Sequence, residues 1–392
     1  MNVLLLSSRF PWPAYSGDRL RATIWLEALR EANVALVAPP PDAGSSELLG
    51  FLGVPRGGGA PRSSEELRGT EELPHRFYPA KRSLTHGACA VVRTVRERLP
   101  WQSLLAAPHD WNGAIAKARA DFGSFDTTIV ILSRLHPWIP AAEGMRILDA
   151  IDSLARNMNE RARAAPPWTR WIWRAEEKRT ARAEEGIARA YDRVLYVSDD
   201  ETGAHGVAVS NGVRIRPLES RTRKYDFGFW GRLAYFANAD AARWLVDEIW
   251  PAIRAIRPGA TLVIAGADAP AKLRRAAESQ GITLLSPADD IPALARDIRV
   301  AILPLRYGSG ESTKMLEAAE AGCAVVATGR GVRGLPELAK HATIAEDAQA
   351  LAREAVGALT EADTELRRLV VQHYAREATL EKLRALVRKE AA

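Results

Sequence analysis

The sequence predicts an α/β protein built from two doubly wound, Rossmann-like domains, and three observations carry that expectation. Its 392 residues are too many for one comfortable core and suit two ordinary domains. Short apolar runs alternate with helical patterns from the first residues onward, which is the order that builds a parallel sheet. The same rhythm then starts afresh at Tyr225.

Val3–Ser7 is an apolar run closed by Pro11, Pro13 and Gly17, which reads as a buried first strand ending in a loop. Asp18 is placed to cap a helix whose inward stripe is Leu20, Ile24, Leu26, Ala28 and Leu29. Val34–Ala38 follows as a second strand. Residues 39–75, with Pro39–Pro41 and Gly57–Gly59, read as loops with at most a short helix. Further strands are expected at Thr128–Leu132, Arg146–Leu148 and Val194–Val197. A charged helical stretch fills Leu154–Ala190, broken at Pro166–Pro167. In the second half, strands are expected at Phe227–Trp230, Thr261–Ala265, Ile282–Leu285, Val300–Leu303 and Ala324–Ala327. Helices fall at Ala239–Ile256, Pro270–Ser279 and Ser312–Ala321. The last stretch is helical, with Leu366, Leu369, Val370, Leu380, Leu383, Leu386 and Val387 at core spacing. The expected division is residues 1–217, a hinge at 218–224 in the charged, unpatterned Arg216–Lys224, a second domain at 225–372, and a final helix at 373–392 crossing back to the first domain.

With 47% hydrophobic and 26% charged residues the composition is that of an ordinary soluble globular protein. Cys89 and Cys323 match no metal or redox spacing and read as small buried apolar residues of a reducing compartment. The start, MNVLLLSSRF, lacks a basic leader, and no stretch approaches the ~18 apolar residues of a spanning helix. A cytoplasmic location is expected, with the inner face of the membrane as a peripheral alternative. A net charge of +6 is too modest to imply nucleic acid. The basic excess is local. Arg76, Lys81, Arg82, Arg93, Arg96 and Arg98 face only Glu97 between Arg76 and Leu105, and a second patch over Arg156–Arg174 is interleaved with Trp168, Trp171 and Trp173. Such patches fit an anionic membrane surface, with tryptophan at headgroup level; packing of the three indoles against their own helix is the other reading.

Two nucleotide-binding-like domains predict a ligand beyond the carboxyl ends of their strands, where helix N-termini offer free amides. The segment that fits is Leu303–Thr328, which reads as strand, glycine loop, helix, glycine stop and strand. Gly308 and Gly310 let the backbone approach a ligand, with Ser309 and Glu311 between and beside them. Ser312 is placed to cap the helix, and its first turn suits a diphosphate. Lys314 in that turn is unfavourable for the helix dipole, so its position makes sense opposite an anion. Glu317 shares the Lys314 face and is placed to accept two hydrogen bonds from a ribose diol. The alternative is an ordinary crossover whose Lys314 and Glu317 are solvated.

This segment resembles the C-terminal signature of the group-1 (family 4) glycosyltransferases, in which an acidic residue is followed eight positions later by Glu, then Ala and Gly. Glu317 and Gly322 match; Ser309 stands where the first acidic residue would be. A subgroup associated with bacterial exopolysaccharide export has a similar loop, with Lys three before the Glu. The opening Ser7-Ser-Arg-Phe-Pro-Trp-Pro with Ser16-Gly17-Asp-Arg-Leu-Arg21 resembles that subgroup's first loop, and Asp149 with Asp152-Ser153 its Asp-Ser step. Ser210-Asn-Gly-Val213 resembles the family's turn before the hinge. Trp230-Gly-Arg232 with Asn238 resembles the start of its second domain.

The resemblance implies the GT-B fold and transfer of a sugar from a nucleoside-diphosphate sugar to a glycan, lipid-linked or small-molecule acceptor. It also implies retention at the anomeric carbon and no metal or other cofactor. Arg232 and Lys314 would stabilise the leaving diphosphate, Lys314 replacing the basic residue that Asn238 displaces. Gly17 would border the reaction centre, and His136 would stand near the sugar unless it is structural. Asp149 and Asp152 are read as caps of the following helix, and Arg19 and Arg21 as acceptor contacts or a solvated helix face. Ser309 and Asn238 keep two alternatives open: a nucleotide-sugar epimerase of the same fold, and a non-catalytic partner of another transferase.

Overall fold

The computed structural model describes residues 1–12, 14, 16–41, 75–203, 206–218, 222–288, 290–360 and 364–388. The stretch 42–74, read as loops around Gly57–Gly59, lies outside the described residues, as do 219–221 of the charged hinge and 389–392 of the last helix. The chain divides into two units. One comprises Met1–Ala162, Pro166–Val209 and Leu380–Ala392; the other comprises Arg163–Ala165 and Ser210–Thr379.

The first unit is a parallel sheet of β1 (Asn2–Ser7), β2 (Asn33–Ala38), β3 (His75–Pro79), β4 (Thr127–Ile131), β5 (Met145–Ile151), β6 (Arg193–Tyr196) and β7 (Gly206–Ala208), in the order β3-β2-β1-β4-β5-β6-β7. Chain order reverses direction between β1 and β4, where Val3 pairs with Thr127 and Ser7 with Ile131. The central strands are buried on both faces, hence their unbroken apolar runs. Around the sheet stand α1 (Gly17–Ala28), α2 (Leu84–Arg96), α3 (Trp111–Phe122), α4 (Leu154–Ala164) and α5 (Pro167–Ala188). The break between the last two falls at the expected prolines, with Pro166 as the N-cap residue of α5.

The second unit repeats the plan. Strands β8 (Tyr225–Trp230), β9 (Leu262–Ala265), β10 (Thr283–Leu285), β11 (Ile298–Leu303), β12 (Ala324–Ala327) and β13 (Thr343–Ile344) are all parallel, in the order β10-β9-β8-β11-β12-β13. The reversal lies between β8 and β11. Helices α6 (Phe236–Trp244), α7 (Trp250–Ile256), α8 (Ala271–Ser279), α9 (Ile291–Arg296), α10 (Thr313–Glu320), α11 (Pro336–Ala339), α12 (Ala348–Gly357) and α13 (Thr364–His373) cover it. Leu366, Leu369 and Val370 join its core. Arg223, from the charged stretch, donates to the carbonyls of Ala321 and Gly322 at the end of α10 (3.0 and 2.7 Å). The last helix, α14 (Arg376–Val387), places Leu380, Leu383 and Val387 in the core of the first unit.

Three local expectations are corrected. The N-cap residue of α1 is Ser16, not Asp18, which sits in the first turn and accepts the Ser16 hydroxyl at 2.6 Å. Cys89 is exposed, whereas Cys323 is buried as expected. Trp168 and Trp171 are 75% and 68% exposed, so only Trp173 of the three indoles is partly packed.

Candidate functional site

The switch point of the second unit gathers the expected donor residues. β11 ends at Leu303, and the chain crosses Gly308 (φ 136°) and Gly310 (φ 73°) before entering α10. Only glycine adopts the first of these freely, and an added Cβ there would meet nothing within 4 Å, so the loop backbone is bare on that side. Arg333 braces the loop from behind: its guanidinium donates to the Gly308 carbonyl at 2.8 Å, and its own carbonyl accepts from Ser312 N at 3.2 Å. Ser312 is the N-cap residue but makes no side-chain cap; its Oγ is buried with no hydrogen-bond partner among the described residues. Its backbone carbonyl, not its hydroxyl, receives the amides of Met315 and Leu316. Glu311 turns to the Asn-Gly-Val turn and accepts from Asn211 N at 3.0 Å. That bond tethers the loop. The structure thus gives one oxygen of Glu311 a bracing contact.

One turn deeper, Glu317 accepts from the indole Nε1 of Trp230 at 2.6 Å. Trp230, 1% exposed, ends β8, so the sheet itself fixes where the carboxylate stands. Gly231 follows with φ 141°. A Cβ there would lie 2.7 Å from Lys314 Cε and 2.9 Å from Asn238 Nδ2. This glycine exists because Lys314 and Asn238 fill the space where a side chain would go. Asn238 donates to the Arg232 carbonyl at 3.0 Å, pinning the turn. The structure therefore brings Gly231, Asn238, Lys314, Glu317 and Trp230 together beside the glycine loop.

Lys314 and Glu317 are half-buried. Burial pulls the Lys314 ammonium below its ordinary pKa, and the nearby Glu317 charge opposes that shift. Burial pushes the Glu317 carboxyl up, against the Trp230 hydrogen bond and the charges of Lys314, Arg216 and Arg376. A carboxyl group held by an indole, within the field of three cations, suits a polar ligand with hydroxyl groups. Arg232 stands apart from that cluster's enclosure: it is 47% exposed and paired with Asp268 at 2.7 Å. A ligand would compete with that pair, which as a surface bridge is worth only ~0–1 kcal/mol.

In the first unit, Gly17 opens α1, and an added Cβ there would meet nothing within 4 Å. Beside it, burial works against the charge on Asp18, yet Arg9, Arg134 and the Ser16 hydroxyl hold its carboxyl below the usual range. His136 lies in a short helical turn, Ser133–Trp138, with Nδ1 3.1 Å from the Tyr191 hydroxyl; burial lowers its pKa. Arg21 overturns both of its expected readings. It is fully buried, its Nε donates to Asp149 Oδ2 at 2.6 Å, and that oxygen also accepts from Trp25 Nε1 at 2.7 Å. Asp149 is therefore no helix cap. That role falls to Ser153, whose Oγ accepts from Arg156 N at 3.2 Å. Among the described residues, no group of three or more His, Cys, Asp or Glu side chains is placed to hold a metal ion.

Sequence reasoning missed Arg333, Asp268 and the role of Trp230. Nothing in the sequence marks an arginine that braces a loop 25 residues away. Trp230 lay inside a recognised motif, but its partner is 87 positions distant.

Residues 224–361 match the family model described as "Glycosyl transferases group 1". No curated protein matches the chain in sequence. Among solved structures, HepE of Anabaena in complex with UDP is 13% identical, with 98% of this chain and 99% of that one covered and a TM-score of 0.62. TarM of S. aureus, in complex with fondaparinux, α-GlcNAc-glycerol and UDP, is 10% identical, covering 99% of this chain and all of that one, with a TM-score of 0.67. WaaG, a glycosyltransferase involved in lipopolysaccharide biosynthesis, is 15% identical over 99% of both chains, with a TM-score of 0.58. The chain has the GT-B fold, and the stretch of its second unit over residues 224–361 is similar to the group 1 glycosyl transferases.

Proposed function

We propose that the chain transfers a sugar from a nucleoside-diphosphate sugar to a glycan, lipid-linked or small-molecule acceptor, with retention at the anomeric carbon and without a metal ion. The observation that carries the donor assignment is the Trp230-anchored Glu317, one helical turn beyond Lys314 on the helix that follows the glycine loop. Glu317 would hold the ribose diol. Lys314 and the start of α10 would take the diphosphate, stabilising charge as the bond from the anomeric carbon to the diphosphate oxygen breaks. The acceptor oxygen bonds to that carbon on the face the diphosphate leaves, and its proton passes to a diphosphate oxygen. Arg232 would join once released from Asp268. His136 and Gly17 are assigned to the sugar side. The UDP-bound neighbours support this reading of the donor, and the group 1 match over the second unit supports the reaction class.

A thermal-shift screen with UDP, GDP and TDP, followed by a panel of labelled nucleotide sugars with and without EDTA, tests the proposal. Stabilisation by one diphosphate and EDTA-resistant transfer are expected. Interconversion of the sugar without transfer would make it an epimerase, and binding of none would leave a non-catalytic partner.

A further inference from the structure

We propose that Glu320 is a positioning residue for the nucleotide site, holding the backbone of Arg216 so that this arginine's charge bears on the Glu317 carboxylate. The inference rests on the reading of Glu317 as the group that holds the ribose diol. Glu320 closes α10, three positions beyond Glu317 and next to it on the helix surface. Its side chain is only 2% exposed, and a buried carboxylate is costly unless donors surround it. Three do. Arg296, at the end of α9, donates to Oε1 at 2.7 Å, and the backbone amide of Arg216 donates to the same oxygen at 2.8 Å. Arg367 of α13 stands 3.5 Å from it. Arg367 also donates to the Glu320 carbonyl and, through Nη2, to the Arg216 carbonyl at 2.6 Å. Both backbone polar groups of Arg216 are therefore held. The same charged stretch is fastened again where Arg223 meets the end of α10. Gly322 (φ 69°) leaves room for it, since a Cβ there would lie 3.2 Å from Arg223 Nη2 and 3.4 Å from Leu218 Cδ1.

A buried ion network adds little stability that well-packed apolar side chains would not match, whereas it does fix where its members stand. What this one fixes is visible from Glu317. Four groups act on that carboxyl: the Trp230 indole from β8, Lys314 from its own helix, Arg376 from the start of α14, and Arg216 from the stretch before β8. A strand places Trp230 and a helix places Lys314. Arg376 is buried and its Nη2 donates to the Gly212 carbonyl at 3.2 Å. Arg216 lies in neither a strand nor a helix, so its place depends on the Glu320 clamp. The clamp takes only the backbone of this half-buried residue and leaves the guanidinium to act on Glu317. Hydroxyl groups donate more strongly to an ionised carboxylate than to a neutral carboxyl. An arginine that keeps Glu317 charged thus raises its affinity for a diol.

Calorimetric titration of the full chain with UDP, from mildly acidic to neutral pH, tests this. Arg216→Ala should weaken UDP by about three- to tenfold and move the fall-off in affinity to higher pH, because a carboxyl that loses a neighbouring cation is protonated more readily. Arg216→Lys should keep the parent profile. Glu320→Gln should shift the profile in the same direction in the parent and add little in the Arg216→Ala background, while lowering the melting temperature in both. Arg367→Gln, which frees the Arg216 carbonyl, should move the profile the same way and serves where Glu320→Gln does not fold. A purely structural network would lower the melting temperature and leave the pH profile in place; that result, or additive losses of affinity, would overturn the proposal. Glu317→Ala separates the two readings. If it costs UDP affinity and Arg216→Ala does not, the role of Glu320 alone is refuted; if neither does, the donor reading falls with it.

Discussion

Gly231→Ala isolates the contact on which the donor site turns. The residue has φ 141°, and a methyl group would sit 2.7 Å from Lys314 Cε and 2.9 Å from Asn238 Nδ2. Two separable costs follow. Backbone strain at such an angle is about 1–3 kcal/mol, which at about 2–4 °C per kcal/mol for a domain of this size gives a modest loss of Tm. The Asn238 amide must shift, and the Lys314 clash is relieved cheaply because its ammonium end is flexible and swings away. What that movement removes is a charge-assisted contact with the bound diphosphate, worth ~1.5–3 kcal/mol; this is ~10- to 150-fold in Kd. Lys314→Met removes the same contact without strain. A double-mutant cycle on UDP affinity, by calorimetry, should therefore show strong coupling: Gly231→Ala weakens binding in the parent and adds little in the Lys314→Met background. The Tm loss should persist in both backgrounds. Additive losses of affinity would refute the argument that Gly231 matters by making room for Lys314.

Trp230→Phe removes the hydrogen bond that holds the Glu317 carboxyl down against burial. Its pKa should rise further, so UDP affinity, which needs the ionised form, should fall off at a higher pH than in the parent; an unshifted profile would separate Glu317 from binding. Arg21→Met should cost about 3–5 kcal/mol in urea unfolding by leaving Asp149 charged and buried. Adding Asp149→Asn should recover part of that loss, and a simple sum of the two single effects would deny the pairing. A thiol reagent should label Cys89 in the native protein and reach Cys323 only after unfolding, since Cys323 is buried and its thiol pushed up to about 11; prompt labelling of both would contradict the packing around α10.

What could be read from the residues follows from how locally each feature is encoded. The central strands declare themselves because both faces are buried and every position is apolar, as in Leu262–Ala265 and Ala324–Ala327. The missed strands are edges. His75–Pro79 alternates buried and exposed residues, and Gly206–Ala208 has only partly covered positions, so neither forms an apolar run. That Lys314 and Glu317 share a face was legible because they stand three positions apart on one helix. Arg21 and Asp149 were not, because their partnership spans 128 positions and a buried arginine looks like a surface one in sequence. Ser312 has the side chain of a cap, yet its hydroxyl is turned away from the amides it could have served. Residue type alone does not specify that rotation.

The last helix has a consequence for synthesis. Leu380, Leu383 and Val387 lie within the hydrophobic core of the unit that begins at Met1. A ribosome delivers them only after every residue of the other unit has been made, so the earliest part of the polypeptide must wait, with an uncovered apolar strip, for the latest. Each missing side chain withholds about 1.5–3 kcal/mol of burial. The half translated first is on this account completed last, and the other unit is free to fold while it waits.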